Sequence, residues 1–288
     1  MMATDSFLNP KTTLNVKGRL VDLSQPAVMA ILNLTPDSFY KNSRSGSVED
    51  MLLKVQGFIN EGAKYIDLGA YSSRPGATHI SVQEEIDRML PAVEALHKHF
   101  PDAILTIDTF RAEVARASIL AGAHIINDIA AGELDENMFA TVAELQVPYI
   151  MMHMKGTPQD MQQDPFYNDV TLEVVTYFIE KVNRLRALGV KDIILDPGFG
   201  FAKSIEHNYE LLRNMEDLKI FSLPYLVGFS RKSMVYKPLG SNAAEALNGT
   251  TVLHTIALQK GASILRAHDV KAAVECINLV KMLNLATP

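Results

Sequence analysis

EGAKYIDLG (61–69) follows a plan that recurs three times, in AGAHIINDI (121–129), LGVKDIILD (188–196) and KGASILRAH (260–268). Each copy runs from a helix end through a glycine and a short link into an apolar β-rich run that finishes in a polar residue. Gly62, Gly122, Gly189 and Gly261 stand where the residue just past a helix needs positive φ. In all, eight apolar runs punctuate the chain, at 27–34, 64–70, 103–109, 124–129, 148–154, 192–197, 224–230 and 262–268. Each is too short and too continuously apolar for a half-exposed strand and reads as a strand buried on both faces. Between them lie amphipathic stretches such as SVQEEIDRMLPAVEALHKHF (81–100), in which Pro91 predicts a kink, and DVTLEVVTYFIEKVNRLRALG (169–189). Eight βα units predict an α/β chain folded as a (β/α)8 TIM barrel. Segment 11–25 predicts an N-terminal β-hairpin closing the barrel's bottom. The competing open doubly wound sheet lacks its G-x-G-x-x-G fingerprint, of which Gly198 and Gly200 supply half. No low-complexity linker interrupts the chain, so residues 1–288 are read as one domain.

Composition narrows the function. The 288 residues carry 33 acidic and 27 basic side chains, a formal charge of −6, which disfavours sequence-independent nucleic-acid binding. At 48% apolar residues, global disorder is excluded. The single cysteine, Cys276, cannot form an intramolecular disulfide or a multi-thiolate metal site, and its apolar helical setting reads as packed core. The opening MMATDSFLNPKTT lacks the pattern of a signal peptide, and no apolar run approaches the roughly 18 residues of a membrane span, so a cytoplasmic protein without a membrane partner is expected.

In such a barrel the strand C-termini form the catalytic rim. Here they carry Asn33, Asp67, Asp108, Asn127 with Asp128, His153, Asp196, Ser230-Arg231-Lys232, and Arg266 with His268. Helix N-caps favour Asp and Asn anyway, so any one position means little, but the whole set points to a site. Asp108, Asn127 and Asp196 interrupt or end apolar runs, where an unpartnered acceptor is costly, and a ligand with several N–H donors would satisfy them. Arg74, Lys203, Arg231, Lys232, Arg266 and His268 bring positive charge to the same rim, which suits a phosphate or carboxylate. Lys203 also reads as a solvated loop charge, His97 and His99 as an exposed helix end, and His153 as a rim residue satisfied by backbone.

These blocks resemble the dihydropteroate synthase family. MAILNLTPDSF (29–39), SSRPGA (72–77), IDT (107–109), GAHIINDIAAG (122–132), MHMKGTPQDMQ (152–162), LDPGFGF (195–201), SRKS (230–233) and LRAHDV (265–270) occur in the family's order over nearly the whole chain. The resemblance implies a TIM-barrel transferase of folate biosynthesis that joins 6-hydroxymethyl-7,8-dihydropterin diphosphate to p-aminobenzoate with Mg2+, and that sulfonamides inhibit by competition. It implies that Asp108, Asn127, Asp196 and Lys232 hold the pterin, with Met152 and Phe201 packed near it. Asn33 would sit at the Mg2+ and diphosphate, while Arg74, Arg266 and His268 would bind diphosphate oxygens. Phe39, Ser73, Arg74, Pro75, Phe201, Lys232 and Ser233 would form the aminobenzoate pocket. The catalytic tasks would fall to Arg266, His268, Lys232 and Asp108.

The chain departs from the family in three places. YKNSRSG (40–46) replaces an Asp-Gly-Gly run, GAYSSRPGA (69–77) replaces a Gly-Gly-Glu-Ser loop and introduces Tyr71, and Ala202 replaces a common glycine. Two rival readings are a pterin-binding methyltransferase domain and a non-catalytic pterin-binding paralogue. SRKS and LRAHDV argue against the first, because a methyl transfer needs no diphosphate site. The late helical stretches 246–261 and 270–283 are apolar on more than one face, so a homodimer is expected.

Overall fold

The repeat's short apolar runs become strands that alternate their side chains between a central axis and an outer helical ring. The computed structural model describes residues 12–34, 44–71, 79–157 and 165–285. A two-stranded antiparallel hairpin, β1 (Thr13–Val16) and β2 (Arg19–Asp22), comes first. Eight parallel strands follow: β3 (Ala27–Asn33), β4 (Tyr65–Gly69), β5 (Ile104–Asp108), β6 (Ile125–Asp128), β7 (Tyr149–Met152), β8 (Ile193–Asp196), β9 (Leu226–Val227) and β10 (Ile264–Ala267). They pair in chain order, and β10 pairs β3. A parallel bridge from Leu195 to Tyr225 joins β8 to the approach of β9 and closes the ring. The expected barrel and N-terminal hairpin are both present. The run 224–230 yields only a two-residue strand, however. Pro224 cannot donate to a neighbour, and Gly228 weakens the other end.

The helices between strands include α1 (Arg44–Asn60), α2 (Val82–His99), α3 (Ala112–Leu120), α4 (Met138–Leu145), α5 (Val170–Ala187) and α6 (Ile205–Arg213). The short α7 (Ser233–Tyr236) follows β9, and α8 (Leu247–Gln259) and α9 (Val270–Leu285) flank β10. Side-chain caps fix several starts: Ser81 accepts from Glu84 N at 3.1 Å, and Asp169 from Leu172 N at 2.8 Å. The helix α2 continues through Pro91, which lies on its exposed side. His97 and His99 are exposed at its end, as expected. No helix among the described residues is long and apolar enough to cross a membrane.

Inside the ring, one apolar layer forms a floor. Met29, Tyr65, Ile104, Ile125, Ile150, Ile194, Leu226 and Ile264 pack there against Leu14, Val16, Val21 and Leu23 of the hairpin segment. The hairpin therefore stoppers the bottom, and the residues above the floor open only toward the strand C-termini.

The four repeat glycines have φ of +100, +123, +84 and +98° at Gly62, Gly122, Gly189 and Gly261. At Gly189 an added Cβ would meet nothing within 4 Å, so the cost of a side chain there is purely conformational. Gly189→Ala is expected to cost about 1 kcal/mol in urea denaturation and to leave activity unchanged.

Candidate active site

Strand alternation builds the site directly above the floor. The residue two positions beyond each floor residue faces the same axis. Tyr65 is thus followed by Asp67, Ile125 by Asn127, Ile150 by Met152, Ile194 by Asp196, Leu226 by Gly228 and Ile264 by Arg266, while Ile104 leads through Thr106 to Asp108. A cavity opens there. Seven residues singled out in the sequence line it together: Asp108, Asn127, Met152, Asp196, Phe201, Lys232 and Arg266. Ile129 and Gly228 complete the lining. Both were missed, although strand parity placed each on the inner face.

Charge is concentrated and nearly balanced. Arg266 donates from Nε to Asp67 Oδ2 and from Nη2 to Asp108 Oδ2, both at 2.6 Å. Asp67 is completely buried and also accepts from Asn127 Nδ2 at 3.3 and 3.4 Å. Lys232 Nζ donates to the Phe199 carbonyl at 2.6 Å and lies 4.5 Å from the centre of the Phe201 ring. Asp196 accepts from Gly198 N at 2.8 Å. Burial pushes Asp108 up to about 7 against the pull of Arg266, and the neighbouring Asp67 carboxylate pushes in the same direction. Burial also raises Asp196, opposed by Lys232, and lowers Lys232 to about 8. The cavity is therefore a desolvated pocket of acceptors with two cations on its wall.

Several rim residues have other tasks. Lys203 is neither solvated nor turned to the cavity: it is buried, and its ammonium lies 3.0 Å from His153 Nδ1 and donates to the carbonyls of Gly198 and Phe201 at 3.1 and 3.2 Å. It ties the end of β7 to the loop after β8. His153 is correspondingly buried rather than a rim residue satisfied by backbone alone. Gly198 is required there, because a Cβ would fall 2.0 Å from the His153 carbonyl oxygen. Asp128 is spent on structure, accepting from Ala130 N, Gly132 N and Tyr149 Oη. Arg231 is neutralised by Asp269 at 2.8 Å and donates to the carbonyls of Ala243 and Ala244. Tyr71 packs edge-on against Phe110 and bonds His79 Nδ1 at 3.2 Å.

The remaining candidates are less central. His268 is exposed on the rim, and its backbone N–H donates to Ser230 Oγ at 3.2 Å. Ser233 begins α7, half-buried, outside the cavity lining. Asn33 is half-buried at the end of β3, in register with Gly69, which is in register with Asp108. That places it two strands, roughly 10 Å, from Asp108. Phe39, Ser73, Arg74 and Pro75 lie outside the described residues. Among the described residues no cluster of three His, Cys, Asp or Glu could hold a metal ion. Asn33 offers a neutral, hard amide oxygen, which is compatible with Mg2+ that takes its other ligands from phosphate and water.

This set of acceptors above the floor, flanked by cations, suits a flat heterocycle with several N–H donors and an anionic arm. A family model described as pterin binding enzyme matches residues 29–268. A dihydropteroate synthase of Escherichia coli K12 is 43% identical over 267 residues, covering 92% of this chain and 94% of the relative. Among solved structures, the Yersinia pestis dihydropteroate synthase in a sulfonamide drug complex superposes with a TM-score of 0.89 at 41% identity, covering 95% of this chain and 100% of that one. The Xanthomonas albilineans dihydropteroate synthase with 4-aminobenzoic acid gives 0.88 at 35% identity, covering 96% and 99%.

Proposed function

Because the chain belongs to the pterin-binding enzyme family, we propose that it condenses 6-hydroxymethyl-7,8-dihydropterin diphosphate with p-aminobenzoate to 7,8-dihydropteroate and diphosphate. The observation that carries this reading is the juxtaposition, over one apolar floor, of the acceptors Asp108, Asn127 and Asp196 with Lys232 and Arg266. A pterin offers an amino-amide edge whose parallel N–H groups a carboxylate accepts in pairs. Met152 and Phe201 supply apolar surface for the ring. In the reaction the bond from the pterin's CH2 to the diphosphate oxygen breaks, a bond to the aniline nitrogen forms, and that nitrogen loses a proton. The protein need not supply a nucleophile. Ionised Asp108 and Asp196 stabilise positive charge developing on the ring, and Arg266 with His268 on the rim meets the departing diphosphate. Lys232, Phe201 and Ser233, with Phe39, Ser73, Arg74 and Pro75, receive p-aminobenzoate and hold its amine in line. Asn33 would hold Mg2+, which when bound neutralises diphosphate charge. Sulfonamides would compete for the aminobenzoate position, since they carry the same aniline group. A reducing cytoplasmic setting belongs to this reading, and the lone thiol, Cys276, is free and buried.

The test combines both substrates with Mg2+ and follows diphosphate and dihydropteroate together. One diphosphate per dihydropteroate is expected, and none without p-aminobenzoate. Methyl transfer without diphosphate release would establish the methyltransferase instead. Tight pterin-diphosphate binding with no product over hours would establish the non-catalytic paralogue.

A homodimer through α8 and α9 forms part of the proposal. Leu279, Met282 and Leu283 on α9 are 71, 65 and 59% exposed, and Val252 on α8 is 51% exposed. Such adjacent apolar surface suits a self-association face. Light scattering is expected to give twice the 31.8 kDa chain mass, and Leu279→Glu to give the monomer.

A further inference from the structure

Asp67 lies beneath the cavity and does not line it. It is nevertheless the point where two of the lining side chains are held. Its carboxylate accepts from Arg266 Nε at 2.6 Å and from the Asn127 amide nitrogen at 3.3 and 3.4 Å. Its neighbours in the sheet are uncharged: the strands on either side of β4 present Ile31 and Thr106 in register with Asp67, and the layer below is apolar. A buried carboxylate in that setting is costly unless its partners repay it.

Its chemistry differs from that of any neutral replacement. An ionised carboxylate only accepts. Facing Asp67, Asn127 must turn its NH2 group downward, which leaves Oδ1 as the atom offered to the cavity. Arg266, gripped by Nε, must extend its terminal nitrogens beyond Asp67, where Nη2 already reaches Asp108. We propose that Asp67 is a positioning residue that sets the polarity of the pterin floor, fixing Asn127 as an acceptor and Arg266 in the pose that spans the ring acceptor Asp108 and the diphosphate side. This rests on the pterin reading above. It assigns specificity for a donor-rich ring to a residue that never touches that ring.

Asp67→Asn preserves shape but can donate as well as accept. Asn127 is then free to flip and present NH2 to the ligand, and Arg266 is free to close on Asp108. The probe is 6-hydroxymethylpterin, which lacks diphosphate, titrated calorimetrically into wild type, Asp67→Asn, the Asn127→Ala/Arg266→Met pair, and that pair combined with Asp67→Asn. Asp67→Asn alone is expected to weaken binding at least tenfold. In the background lacking both partners, it is expected to change binding less than twofold. Binding by Asp67→Asn within twofold of wild type would overturn the proposal, and so would an undiminished loss in that background. If the variants do not fold, the native protein still decides. Side-chain 15N NMR should show an arginine Nε–H, absent from spectra of Arg266→Lys, that resists exchange both free and saturated with pterin. Loss of that protection on binding would mean that Asp67 releases Arg266, and would overturn the proposal. Failure of wild type to bind the pterin would instead condemn the pterin reading itself.

Discussion

Lys232→Ala is expected to lower kcat/KM for the condensation by roughly 10²–10³ while the protein melts within a few degrees of wild type. Two losses combine. The ammonium is a half-buried cation, 2.6 Å from the Phe199 carbonyl and 4.5 Å from the Phe201 ring centre, at the wall where the proposed substrates meet. It is also the foremost charge opposing the upward push of burial on Asp196. Without it the push of burial on Asp196 is less opposed, which disfavours the ionised form that accepts from the pterin. The fold should survive because Lys232 is held under tension. Burial lowers its pKa from 10.5 to about 8, so the folded state binds fewer protons than the unfolded state between those values. Stability therefore rises with pH across that window, which means that the charged lysine costs stability at pH 7 and its removal relieves the cost. Steady-state kinetics with a thermal melt on one preparation checks both halves. Wild type should also lose activity above about pH 8, an alkaline limb that the variant's residual rate lacks. Activity within fivefold of wild type would remove Lys232 from the reacting centre.

What could be read from the sequence follows from geometry that alternation alone dictates. Asp108, Asn127, Asp196 and Arg266 were legible because each breaks an apolar run at the strand's C-terminal end, and a closed ring sends such ends to one mouth. Lys232 was legible as a rim cation, whereas Met152 and Phe201 came from the family resemblance, and all three converge on the same cavity. Asp67 stands at the centre of β4 with the same signature, and its role was still overlooked. A strand-end polar residue suggests a ligand, whereas Asp67 serves the residues that meet the ligand. Parity would have found it, since it follows the floor residue Tyr65 by two. Lys203 fails differently. Nothing in GFGFAK says that its loop turns back on the end of β7, because the contact from Lys203 to His153 spans fifty residues, even though the Gly198 and Phe201 carbonyls that share the ammonium are close in sequence. Arg231 and Asp128 likewise carry correct charges in the correct place, but partners far along the chain claim them. Charge type is local information, and charge occupancy is tertiary.

Binding of neutral 6-hydroxymethylpterin should tighten by up to about tenfold per pH unit between pH 5 and 7 and release a proton at the lower end of that range. Asp108 is the group responsible. Burial raises it from 3.8 to about 7; Arg266 pulls it down, and the Asp67, Glu85 and Asp128 carboxylates add to the rise. The folded, ligand-free protein thus holds a proton there that the unfolded chain has already lost. With native protons exceeding unfolded ones across that interval, stability falls as pH rises from about 4 to about 7. A pterin that donates its N–H pair requires the ionised carboxylate, so it binds the state that burial disfavours and supplies the donors this state lacks. Two consequences follow in the same direction: affinity climbs with pH, and the ligand raises Tm more at pH 7.5 than at pH 5. Calorimetry in two buffers of different ionisation enthalpy counts the released proton directly. Asp108→Asn should bind weakly with little pH dependence over the same range. A wild-type affinity that stays flat from pH 5 to 7 would mean that Asp108 is already ionised in the free protein, held by Arg266 alone, and that the floor is charged before the ring arrives.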